Sequence, residues 1–215
     1  MSFDVNQLRL GMNLEGLKNS LNTAISLNKG NVNELVLKSI FNFIEDDITV
    51  GDGKISNENE LHVLVSYIKN LFNKDAKPEV KMPDAANYDP EKDLLRRNED
   101  ENFSNTIIVE NFESGQEKET SVQKYKQTGE TNVETTIRDN SGYDMLYDEN
   151  NDGVVDARTV TFADITDENG KLTTYRDTDL DGSFDQKTIT VVKDGKMDEF
   201  VEYKRKDDGN WGLDV

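Results

Sequence analysis

An α+β fold is predicted, with a helical N-terminal region followed by an antiparallel β-meander of hairpins. Three observations predict it. Apolar residues in 1–74 recur at steps of three and four, from Phe103 onward the period changes to two, and Pro78, Pro83 and Pro90 all fall in between. Steps of three and four put apolar side chains on one helix face, whereas period two puts them on one face of a strand. The expected organisation is a helical domain over 1–74, a Pro-containing linker over 75–102 and a β-hairpin domain over 103–215.

The first helix is expected from Leu10, Leu14, Leu17, Leu21, Ala24 and Ile25, with Gly30 as its stop signal. Asn31 or Asn33 can cap a second helix whose apolar face carries Val36, Leu37, Ile40, Phe41 and Ile44. Leu61, Leu64, Val65, Ile68, Leu71 and Phe72 repeat the stripe in a third. Three amphipathic helices bury these faces on one another. Residues 75–102 mix the prolines with Lys, Asp, Glu and Asn, which reads as linker with a short helical turn near Leu94 and Leu95.

Candidate strands follow at 105–112, 119–126, 131–138, 143–147, 157–164, 171–176, 186–192 and 197–204. Asn169-Gly170 and Asp194-Gly195 are two-residue hairpin signals. One face of 157–164 carries Arg158, Val160 and Phe162; the other, with Thr159 and Thr161, reads as a solvated surface. The apolar face is narrow. It needs covering by the helices, by curvature of the sheet, or by a partner chain, including self-association through the sheet.

Two acidic stretches stand out: Asp148–Asp156, DENNDGVVD, and Asp177–Asp185, DTDLDGSFD. Both read D-x-[DN]-x-D-G-x-x-D, and the match runs on into Thr159-Val160-Thr161 and Thr188-Ile189-Thr190. Asp148, Asn150, Asp152 and Asp156 correspond to Asp177, Asp179, Asp181 and Asp185. Such oxygens suit a hard cation, and calcium takes six to eight oxygen ligands in flexible geometry. The carbonyls of Val154 and Ser183 complete each set. The alternative is a pair of solvated turns, since Asp, Asn and Gly are common turn residues. In a meander every second connection lies on the same edge, so both loops are expected at one end of the sheet, with metals roughly 10 Å apart.

These loops resemble the DxDxDG calcium loops of the EF-hand superfamily and the hairpin loops of FG-GAP-type propellers. They depart from the EF-hand form at position 12, which holds Thr159 or Thr188 in place of a bidentate Glu, and each is followed by a strand pattern rather than a helix. The resemblance thus implies the β-hairpin version, closed by Asp156 and Asp185, with modest affinity. A second resemblance covers residues 33–72, where GDGKIS before a Glu-Leu helix start is similar to the back half of an EF-hand, with Ile55 as the motif isoleucine. Its front half is poor. It implies either a longer loop that binds through Asp47, Asp52, Glu60 and backbone carbonyls, or a degenerate helix–loop–helix kept as a scaffold.

Composition narrows the function classes. The net charge is −19, with −13 of it in residues 103–215. Nucleic acid and anionic membranes are poor partners for such a chain, and cations are natural ones. There is no cysteine, and no apolar run long enough for a spanning helix. The first residues lack the basic and unbroken apolar regions of a secretory signal. That leaves a cytoplasmic chain, a processed fragment, or a leaderless route to the calcium-rich extracellular space, which weak calcium sites favour.

No enzyme is expected. The single histidine, His62, falls inside the third helix pattern, and no Gly-x-Ser-x-Gly, P-loop or HExxH spacing occurs. Tyr143, Tyr147, Tyr175, Tyr203 and Trp211 can line a sugar- or protein-binding face, or simply pack the strands. The sequence thus points to a calcium-binding structural or interaction module. The alternative is a calcium-dependent carbohydrate or protein binder, or an enzyme accessory domain.

Overall fold

A computed structural model describes residues 3–28, 31–84, 88–112, 114–166 and 168–214. The expected stop signal Gly30 lies outside the described residues. The architecture is α+β: three N-terminal helices, then a ten-stranded antiparallel sheet. The chain divides into two compact units, Met1–Lys81 with Asp179–Ser183, and Met82–Thr178 with Phe184–Val215.

In the first unit α1 spans Leu14–Leu27, α2 Glu34–Val50 and α3 Glu58–Asn70. Each starts at an asparagine whose side-chain oxygen accepts the orphan amides of the first turn: Asn13, Asn33 and Asn57. The choice between Asn31 and Asn33 resolves to Asn33. Its Oδ1 accepts from Leu35 and Val36, while its Nδ2 donates to the carbonyls of Asn73 and Ala76. Leu14, Leu17, Leu21, Val36, Ile40, Ile44, Leu64, Ile68 and Leu71 are buried, as the stripes require. Leu10 departs from its expected place. It lies before α1 and is exposed, because the chain there pairs with the α2–α3 connection through Gly11 N to Ile55 O and Ile55 N to Met12 O.

The strands are β1 Leu94–Glu99, β2 Phe103–Asn111, β3 Glu117–Tyr125, β4 Thr131–Asp139, β5 Gly142–Asp148, β6 Ala157–Thr166, β7 Asn169–Asp177, β8 Gln186–Lys193, β9 Lys196–Arg205 and β10 Trp211–Leu213. Each pairs only with its sequence neighbours, so the sheet is a pure meander. β2 to β9 match the eight candidate strands. β1 replaces the expected helical turn at Leu94 and Leu95, which instead pair with Val109 and Ile108. Asp194-Gly195 is the two-residue turn between β8 and β9, with both residues at positive φ, 51° and 68°. Asn169-Gly170 is not a turn centre but the start of β7. A Cβ on Gly170 would sit 2.1 Å from the Asp164 carbonyl, so this glycine serves a close strand approach.

The face carrying Val160 is buried, with Ile137, Leu146, Tyr175 and Phe184. Curvature of the sheet covers part of it. β7 and β10 are three strands apart, about 14 Å in a flat sheet, yet the Tyr175 and Trp211 rings lie 6.0 Å apart. Thr159 and Thr161 are buried rather than solvated. Their paired neighbours Tyr143, Met145 and Arg176 are long, and Thr161 bonds the Thr174 hydroxyl at 2.8 Å.

Candidate metal centre

The two acidic loops connect β5 to β6 and β7 to β8, so the meander puts both at the same end of the sheet. They share one internal hydrogen-bond pattern. Asp156 Oδ2 accepts the Glu149 amide at 2.8 Å, and Asp185 Oδ2 the Thr178 amide at 2.7 Å. Asn150 Oδ1 accepts from Asp152 N at 2.9 Å, and Asp179 Oδ1 from Asp181 N at 3.2 Å. Asp152 Oδ1 accepts from Val154 N and Asp181 Oδ1 from Ser183 N, both at 2.8 Å. The bend is also shared: Asn151 and Leu180 have φ of 55° and 53°, Gly153 and Gly182 of 83° and 88°. The sequence repeat is therefore a repeat of backbone geometry.

In the second loop Asp177, Asp179 and Asp185 each offer a carboxylate oxygen, and the three oxygens lie within 4.8 Å of one another. This triad can hold a metal ion. Among the described residues it is the one group of three or more His, Cys, Asp or Glu that meets this test. A carboxylate has about four lone-pair positions, so the amide bonds within the loop leave acceptor capacity on each Asp. The donor set is all oxygen, the preference of a hard cation.

The other expected ligands are placed differently. Asp181 turns its Oδ2 to Lys38 Nζ at 3.1 Å on α2. Ser183 is half-buried beside it in the chain. In the first loop Asp148 is buried and takes the amides of Asp152 and Gly153 at 3.2 and 2.9 Å. Asn150, Asp152, Val154 and Asp156 follow around the turn without forming an acidic triad of that kind, in part because an amide stands at 150 where the second loop has an acid.

Asp47, Asp52 and Glu60 are not gathered into such a group either. Asp47 lies on the last turn of α2, which runs on to Val50 because no stop residue precedes Gly51. Asp52 Oδ1 accepts the Lys54 amide at 3.0 Å. Glu60 Oε2 accepts the Ser56 amide at 2.6 Å, while Asn57 Oδ1 accepts the Glu60 amide, so this carboxylate helps to cap α3.

Comparison with protein-family models, curated proteins and solved structures returns no match. Sequence reasoning missed Lys38 and also Tyr67, whose hydroxyl donates to the Leu180 carbonyl at the tip of the second loop. Neither carries a local signal, because both partners lie more than a hundred residues away. Tyr175, a candidate for a binding face, packs with Phe162, Phe184 and the other candidate, Trp211. His62 lies on α3 with its Nε2 against the Lys81 carbonyl. No described helix is long and apolar enough to cross a membrane.

Proposed function

We propose that this protein is a non-catalytic calcium-binding module, structural or interacting, in which calcium clamps the two acidic hairpin loops. The convergence of Asp177, Asp179 and Asp185 carries the reading. Three carboxylates so close repel one another, and a divalent ion removes that repulsion. Calcium suits the loops better than magnesium, which demands compact octahedral geometry and keeps its waters. The shared hydrogen-bond pattern supports extending the proposal to Asp148, Asn150, Asp152 and Asp156, with the Val154 and Ser183 carbonyls as further ligands. The resemblance to DxDxDG loops points the same way. A second reading, recognition of a ligand under the control of calcium, draws on a cleft beside the first loop.

Calcium binding to the folded chain alone raises its stability by linkage. At free calcium tenfold above Kd this is about 1.4 kcal/mol per site, or roughly 3–6 °C in Tm for a chain of this size. Asp185→Ala is expected to remove the second site and Asp156→Ala the first, each leaving the other titratable. Calorimetric titration with calcium and magnesium, beside thermal melts with and without a chelator, checks this. Wild-type melting that calcium leaves unchanged, with no heat of binding, refutes the proposal.

A further inference from the structure

A cleft of ≈ 560 Å³ opens between the β3–β4 turn and the β5–β6 loop. Tyr125, Tyr147, Asn132, Glu130, Glu149 and Asp156 line most of it, and no Lys or Arg takes part. The tyrosines come from the ends of β3 and β5, brought to the same rim by the meander. Asn132 Nδ2 donates to the Tyr147 hydroxyl at 2.6 Å, which orients that ring. The carboxylates of Glu130 and Glu149 make no hydrogen bond or ion pair with any described residue. Lys126, next to Tyr125 in the chain, is engaged elsewhere: its ammonium meets Glu99 Oε1 at 2.8 Å and the Asp100 carbonyl at 2.6 Å. The Tyr147 hydroxyl titrates above the usual phenol range, first through burial and then through the charge of Glu149.

We propose that this cleft binds an organic cation, a guanidinium or primary ammonium group, held between the tyrosine rings and the Glu130, Glu149 and Asp156 carboxylates. A ring face attracts a cation through its quadrupole, and a concave wall of one charge sign concentrates the opposite charge. Acceptors outnumber donors on the lining, so the fitting ligand is a donor. The three carboxylates make the net field repulsive to an anion. The source is either a free amine or the Arg or Lys side chain of a peptide.

Asp156 and Asn150 belong both to the cleft and to the first acidic loop. If that loop takes calcium, as proposed above, the ion neutralises Asp156 and the two cations oppose each other. This coupling rests on the calcium reading; the cleft assignment does not.

The test uses the full chain in chelator, titrated calorimetrically with agmatine, with the tripeptide amide Gly-Arg-Gly, and with neutral 1,5-pentanediol. Agmatine or the peptide is expected to bind one site and pentanediol not; the tighter of the two identifies the source. Glu149→Gln and Tyr125→Ala, both at exposed side chains, are each expected to weaken binding about 3–10-fold. Added calcium is expected to weaken it further. Agmatine binding that survives calcium undiminished supports the cleft and counts against the calcium reading of the first loop. No binding by either cation, equal binding of pentanediol, or affinity unchanged in both variants overturns the proposal.

Discussion

Gly182→Ala is expected to destabilise the protein by about 3–5 kcal/mol, against about 1–2 kcal/mol for Gly153→Ala at the same place in the sister loop. The two glycines share a backbone conformation, φ of 88° and 83°. Both substitutions therefore carry the same cost of placing an L residue in the left-handed region. What differs is the space. A Cβ on Gly153 meets nothing within 4 Å, whereas one on Gly182 lies 2.1 Å from the Ser39 carbonyl oxygen, 2.9 Å from its carbon and 3.1 Å from the Phe43 nitrogen. Those are backbone atoms of α2, which cannot swing aside as a side chain would. The loop tip is also held from other directions. Tyr67 of α3 donates to Leu180 O, and Lys38 pairs with Asp181. Leu180 itself adopts positive φ while almost fully buried, a strained conformation that its packing maintains. Urea unfolding, followed by circular dichroism of the helices, measures the difference. Equal losses for the two alanine variants indicate that the close approach to α2 does not persist in solution.

Much of this was legible in the sequence, and the rest was not for physical reasons. Val36, Ile40 and Ile44 mark α2 because one turn repeats every 3.6 residues, and that information is local. Asp148–Asp156 and Asp177–Asp185 announced themselves as a repeat, and the repeat extends to individual hydrogen bonds. β1 was hidden because LLRRNE shows no alternation; an edge strand with little to bury needs none. β10, only Trp211–Leu213, is too short to show a period. Asn169-Gly170 misled because glycine serves both a turn and a tight strand approach, and only the register distinguishes them. The contacts of the second loop with Lys38 and Tyr67 cross more than a hundred residues, as does no pattern in a single chain. The cleft is assembled from two turns and the strand ends beside them, which only the fold brings together.

Arg158→Met is expected to cost about 4–5 kcal/mol, and Asp144→Asn about 3 kcal/mol, whereas the double variant Asp144→Leu with Arg158→Met returns close to wild type. The two side chains form a buried fork, with Nη2 to Oδ2 at 2.7 Å and Nε to Oδ1 at 3.0 Å, and side-chain exposures of 5% and 1%. Two charges withdrawn from water gain little net stability as a pair, because desolvation offsets their attraction. Removing one partner is different: the other charge stays buried without the fork. The two single changes are not equivalent, because asparagine still offers Arg158 an amide oxygen, whereas methionine offers Asp144 no donor. The apolar pair suits the site because Leu146, Val160 and the Phe184 ring already surround it. A double-mutant cycle by urea denaturation decides the matter. A double variant as unstable as Arg158→Met alone assigns the cost to lost packing of the arginine stem, and equal stability of all four proteins shows that neither charge is buried in solution.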